Sequence, residues 1–150
     1  QMLDQVRRRA RAEGALPLLD AALRRARPRD PEAELREIVR ELYRSLSRSW
    51  RAVKLMERSA LDWPELAAVW VGEIRRDIIA RLRRYLERRT RQRLFRATPN
   101  LDAAARLVLE TTAWFALHRH NDAEPPPIDE TAAEDTVVDF VVHGLLRRPS

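Results

Sequence analysis

The chain has 150 residues, 45% hydrophobic and 35% charged, with a formal net charge of +6 and no cysteine. That is about one domain, long enough to bury a core and too rich in periodic apolar residues for a disordered chain. Without cysteine there is neither a disulfide framework nor a thiolate metal site, and no run approaches the roughly 18 apolar residues of a membrane helix. The arginine-rich start has no apolar segment or small-residue cleavage site behind it, so a secretory signal is not expected and the location expected is cytoplasmic, with no membrane partner. Lys54 is the only lysine among 29 basic residues, and Asp and Glu are interleaved through most of the periodic segments. A dedicated nucleic-acid binder concentrates its charge on one face, and interleaving argues against that. Glutamine does not initiate translation, so either residues precede Gln1 or Met2 is the start.

Met2–Glu13 reads as a helix closed by Gly14, with Pro17 opposing its continuation. Leu16, Leu18, Leu19, Ala22 and Leu23 form a second short stripe that stops before Arg27-Pro28-Arg29-Asp30. There Asp30 is a cap, Pro31 suits the first helical position, and Glu32 and Glu34 favour the positive end of the dipole. Leu35, Ile38, Val39, Leu42, Tyr43 and Leu46 then recur with helical spacing. Ser45, Ser47 and Ser49 predict a break, with a further helix from Trp50 through Val53 and Met56 to Ser59.

The longest predicted helix opens at Asp62-Trp-Pro-Glu65, where Asp62 and Glu65 have capping-box spacing. Leu66, Trp70, Ile74, Ile78, Leu82 and Tyr85 form its stripe, widened by Val69, Val71, Ile79 and Leu86. Its tail, Arg81–Arg96, is the most basic segment, for which a solvated helix end is sufficient explanation because cations there are favourable by about 0.3–1 kcal/mol each. The alternative is a module that binds nucleic acid or an anionic membrane through this tail. Asn100 caps a helix over Leu101–Leu117, the segment Asn121–Asp129 is a proline-rich loop, and Thr131 with Glu134 caps a last helix ending at Leu146.

Those two final helices carry too much apolar surface for one neighbour. Leu101, Ala104, Ala105, Val108, Thr112 and Phe115 make one stripe that Leu107, Trp114 and His118 extend; Val137, Phe140, Val141, Gly144 and Leu145 make another that Val138, Val142 and Leu146 widen. A second copy is the natural cover, so a homodimer is expected through Leu107, Val108, Thr111, Phe115, Val137, Phe140, Val141, Gly144 and Leu145. A purely structural dimerisation bundle would share this feature.

The residues offer little chemistry. His118, His120 and His143 have no histidine or glutamate at metal-ligand spacing, and Gly14, Gly72 and Gly144 are too isolated for a phosphate loop. No nucleophile elbow occurs. No catalysis, metal or cofactor is expected. An apolar cavity between helices fits better, with Trp50, Met56, Trp63, Trp70 and Trp114 as large wall residues and Tyr43, Thr111, Thr112 and His118 as polar ones. Gly72 costs about 1 kcal/mol within a helix, which suggests close backbone approach or room for a ligand.

The order of these elements resembles the C-terminal regulatory domain of TetR-type transcriptional repressors. Carrying the resemblance are "MERSALDWPELAAVW" ahead of a long helix, "NLDAAARLVLETTAWFALHRH", a loop, and "TAAEDTVVDFVVHGLL", and it covers the chain from about Asp30 onward. The fold it implies is all-α, a multi-helix orthogonal bundle whose last two long helices form a dimer four-helix bundle. It further implies an effector pocket, drawn here from Tyr43, Trp50, Met56, Trp70, Ile74, Trp114 and His118, for a small hydrophobic molecule. The family's N-terminal helix-turn-helix is absent from these residues, so DNA is expected as a partner only through that missing domain.

Overall fold

The computed structural model describes residues 2–124 and 127–148; the side chains of Leu66 and Val71, both in the predicted stripe, lie outside the described part. The helices are α1 (Met2–Glu13), α2 (Pro17–Arg24), α3 (Pro31–Arg58), α4 (Pro64–Ala67), α5 (Arg75–Arg91), α6 (Leu101–Ala116) and α7 (Glu130–Leu145). A π-helical stretch, Ala68–Ile74, joins α4 to α5, and a 3-10 turn, His118–Asn121, follows α6. The fold is an all-α multi-helix bundle, with no strand among the described residues. Among those residues no helix is long and apolar enough to cross a membrane.

Two predicted starts hold as read. Asp30 accepts a hydrogen bond from the Ala33 amide at 3.0 Å, and Asn100 accepts one from Ala103 at 2.9 Å. Two shift. The turn after α3 takes the Trp63 amide to the Ser59 carbonyl at 2.6 Å, so the next helix opens one residue past Asp62, without a side-chain cap. The last helix is capped by Asp129, which accepts from the Ala132 amide at 2.8 Å, and not by Thr131. Glu134 turns to α3 instead, where Arg40 and Arg44 donate to it at 2.8 and 2.9 Å.

The break predicted at Ser45, Ser47 and Ser49 is absent: α3 runs unbroken over 28 residues. Serine disfavours a helix only mildly, and packing along α3's apolar stripe, which lies against α6 and α7, outweighs that preference. The Ser47 hydroxyl is drawn off to Glu130 at 3.3 Å. Glu41, on the same helix, supplies the acceptor that α2 lacks, taking the Leu18 and Leu19 amides at 2.9 and 3.1 Å.

A buried charge ties α2, α3 and α5 together. Arg89, fully excluded from solvent, donates to Glu34 Oε1 at 2.8 Å and Oε2 at 3.1 Å, to the Ala22 carbonyl at 3.0 Å and to Gln92 at 3.0 Å. Tyr85 and Arg25 also donate to Glu34, at 3.0 and 2.7 Å. Just beyond, α5 ends with Arg93 in the left-handed region at φ 60°, while the Leu94 amide reaches back to Arg89 and the Arg93 amide to Thr90. The chain then pairs with the end of α7, Arg96 to Leu145 at 2.9 Å and Arg147 to Leu94 at 3.1 Å.

Burial by itself would raise the Glu34 pKa, but the hydrogen bonds from Arg89 and Arg25, the Arg89 charge and the Tyr85 hydroxyl together hold it below 4.5. A folded-state pKa below the unfolded one adds stability that is complete above about pH 4.5 and is lost as pH falls through the depressed value. Glu34→Ala leaves Arg89 buried without its partner and is expected to cost about 3–5 kcal/mol in urea denaturation. Glu34→Gln is expected to flatten the loss of stability below pH about 4.5; an unchanged acid limb would assign that limb to other carboxylates.

Candidate functional site

The apolar stripe of α3 is wider than α6 and α7 cover. Leu42, Leu46 and Val53 face a cavity of about 260 Å³, with Ser45 and Ser49 between them as its polar wall. Trp70 and Ile74 of the π-helical stretch close a second side, and Val6 and Ala10 of α1 a third. A Cβ at Gly14 would stand 3.2 Å from the Ala10 carbonyl of α1 itself and 3.4 Å from Ile74, an ordinary contact. The outer edge of α1 is held by Arg7 and Arg11, which reach Glu73 at 3.1 and 3.0 Å. Exposed pairs of this kind contribute about 0–1 kcal/mol, so α1 is a lightly held wall.

In the π-helical stretch the Arg75 amide donates to the Trp70 carbonyl, five residues back. Such widened turns are rare and gather at functional sites, because the extra residue re-aims the side chains around it. Trp70, only 8% exposed, lines the large cavity and also a second one of about 210 Å³ on its other side. That second space is polar at one end, with Glu57, Arg75, Glu110 and His118. Lys54 Nζ lies 3.1 Å from His118 Nδ1 and 3.3 Å from Glu57, and Arg75 pairs with Glu110. Burial, then the neighbouring Arg106 charge, pulls the Arg75 pKa down from its usual value.

Of the residues expected to line a pocket, Met56, Trp70 and Ile74 come together in the large cavity and His118 in the smaller one. Tyr43, Trp50 and Trp114 line neither. Tyr43 is buried with its hydroxyl donating to Glu130 at 2.8 Å, and burial pushes its pKa up. Trp50 stacks on His120 at 5.2 Å, because the helix gives way to a 3-10 turn that swings His120 towards α3. Trp114 is 41% exposed, packed edge-on against Phe115 on the outer side of α6. The buried Thr112 hydroxyl is spent on the Val108 carbonyl at 2.6 Å. The α1 residues gave no signal in the sequence, whereas Ser45 and Ser49 did: they share a helix face with Leu42, Leu46 and Val53.

The candidate dimer residues divide. Val108, Val137, Val141 and Leu145 are buried within the protomer, and a partner has little access to them. Leu107 is 67% exposed and Phe140 74%. α5 takes one flank of α6 through Arg75–Glu110 and Arg83–Asp102, and α3 takes one flank of α7 through Arg40–Asp135. That leaves Leu107 and Trp114, Phe140 and Gly144 on the outer sides, with Thr111 and Phe115 half-buried beside them.

The basic tail is mostly spent inside the chain. Arg81 pairs with Asp20 and Asp77, Arg83 with Asp102, and Arg91 with Glu87, while Arg88 and Arg96 donate to the Leu23 and Gly144 carbonyls. No family model, curated protein or solved structure matches the chain.

Gly72 does not mark a close approach: a Cβ there would meet only the Arg76 guanidinium, at 3.7 Å. Gly72→Ala is therefore expected to stabilise the fold by about 0.5–1 kcal/mol through lower unfolded-state entropy, read from the urea midpoint. A loss of stability would mean that the π-helical turn depends on this glycine.

Proposed function

We propose that the chain is the effector-sensing and dimerisation domain of a TetR-like transcriptional regulator, without catalytic activity of its own. In this reading a small hydrophobic molecule enters the cavity between α1, α3 and the π-helical stretch. Its arrival alters DNA binding by a helix-turn-helix domain N-terminal to these residues. The observation that carries the reading is that α1, the first element of the chain, is itself a wall of the cavity and is held on its outer edge by exposed ion pairs. A ligand that binds the two positions of α1 unequally shifts the balance between them, and one that binds both equally shifts nothing.

The dimer of this reading forms through the outer sides of α6 and α7. Leu107, Trp114 and Phe140 are large apolar groups in water, and nothing lies within 4 Å of where a Cβ of Gly144 would stand, so a partner helix has room to approach there. The opposing basic reading draws little support, because most of the arginines from Arg81 to Arg96 already have partners within the fold.

Occupancy of the cavity is read by thermal melting with 2-octanone or 2-methyl-1-octene. A probe at about 100 times its Kd is expected to add about 2.7 kcal/mol, and Ser49→Trp, which fills the space, is expected to abolish the gain while folding normally. An equal gain in the variant would place binding elsewhere. For the dimer, Phe140→Asp is expected to give monomers in sedimentation velocity with helicity unchanged, whereas Val141→Arg is expected to unfold the protomer because it buries an unpaired charge. A Phe140→Asp protein that still dimerises would rule out this face.

A further inference from the structure

The ion pairs that occupy the basic segment stop short of Arg93. At the end of the bundle where α5 finishes, Arg24, Arg27, Arg29, Arg93, Arg147 and Arg148 are exposed, and none of their side chains has a hydrogen bond or ion pair with a described residue. The fold gathers them. Arg93, Arg147 and Arg148 line one open cleft of about 520 Å³ with Asp30, Leu94 and Leu146. Backbone pairing holds its walls, the Arg147 amide donating to the Leu94 carbonyl at 3.1 Å and the Arg96 amide to Leu145 at 2.9 Å. Arg88 and Gln92 donate to the Leu23 and Ala26 carbonyls, which brings the α2–α3 junction, with Arg24, Arg27 and Arg29, against the same end of α5. The carboxylates lining the cleft are already engaged: Asp30 accepts from the Ala33 amide at 3.0 Å, and Glu32 pairs with Arg36 at 2.8 Å. Positive charge is therefore in excess here. Arg93 also stands in the left-handed region at φ 60°, so the chain keeps a guanidinium where the backbone alone favours glycine.

Unpaired guanidiniums around one cleft suit an anion that offers several oxygens. We propose that this end of the bundle binds the phosphate backbone of duplex DNA without reading its sequence. The planar arginine fork bonds phosphate oxygens in pairs, and release of condensed counterions from the DNA supplies the affinity. None of the six arginines belongs to the middle of a helix, so no helix presents them along one face to the major groove. A membrane surface calls for apolar or aromatic anchors, and a single strand calls for aromatic rings on which bases stack. No large apolar side chain is exposed in the α2–α3 junction, at the C-terminal end of α5 or after α7. The proposal does not rest on the sensor reading, because the cavity of that reading meets α5 near its other end, at Ile78.

The test titrates the intact chain into two labelled DNA duplexes of unrelated sequence and follows fluorescence anisotropy across a range of salt. Both duplexes are expected to bind alike, with Kd between about 1 and 100 µM and a slope of log affinity against log salt of about −3 to −5. Arg93→Gly, Arg147→Gln and Arg148→Gln combined are expected to make that slope shallower by about 3 and to weaken binding at low salt by about tenfold or more. Helicity is expected to stay unchanged, since none of the three side chains has a partner to lose. Arg48→Gln, Arg58→Gln and Arg84→Gln combined remove the same charge from exposed positions elsewhere and are expected to leave the slope as it was. An equal loss in both triple variants would assign the binding to net charge alone and overturn the site. So would an unchanged slope in the first variant, or no binding to either duplex at the lowest salt. A strong preference for one duplex would overturn the backbone-only mode, and tighter binding to phosphatidylglycerol vesicles than to DNA would give this end to a membrane surface instead.

Discussion

The bundle is organised around one guanidinium that water does not reach. Removing a charge from water costs several kcal/mol, and Arg89 recovers it only because Glu34, the Ala22 carbonyl and Gln92 together meet its N–H groups. Those partners belong to α3, to α2 and to the end of α5 itself, so the geometry of one side chain sets how the three helices meet. An apolar contact could slide by part of a turn with little loss; this network cannot, because a displaced Arg89 leaves a buried carboxylate as well as a buried cation. Tyr85, its pKa pushed up by burial and then by the Glu34 charge, stays neutral and donates to the same carboxylate.

The irregularity lies at the end of α5 away from this anchor. There the helix widens into the π-helical stretch, and the widening sets Trp70 between an apolar space and a polar one. The opposite wall is α3, whose continuity through Ser45 and Ser49 presents small hydroxyls where larger side chains would close the cavity. α1 forms a further wall and is paired with Glu73 through Arg7 and Arg11. Rigidity at Arg89 and light restraint at α1 are thus two ends of one arrangement.

Arginine also does in this chain what lysine does elsewhere. Its planar fork bonds carboxylates and helix-end carbonyls in fixed geometry, and here it links α3 to α7 through Arg40 and Arg44, and the turn after α6 to α7 through Arg119 and Glu130. Each surface pair contributes little alone. Pairs of the same kind, Arg81 with Asp20, Arg83 with Asp102 and Arg91 with Glu87, occupy arginines of the basic tail.

Helical periodicity made the class of fold legible, along with most of the elements. The caps at Asp30 and Asn100 could be read because a capping side chain and its amide lie three residues apart, a purely local relation. The caps at Asp62 and Thr131 were misread because a neighbouring residue offered the same chemistry, and the Ser59 carbonyl and the arginines of α3 decided between them. Apolar stripes named Met56, Trp70 and Ile74 as wall residues, yet the same stripes could not tell a cavity from a core at Tyr43, or from an outer surface at Trp114. Likewise Val137 and Phe140 belong to one face of a helix wheel, and only the positions of α3 and α6 decide that one is covered and the other bare. The sequence by itself determined most of the helical segments and which of their sides are apolar, because both follow from spacing along a single helix. Where those sides meet, which serine hydroxyls line a space and which arginine is buried were decided by tertiary structure alone, because each depends on what a distant segment places opposite.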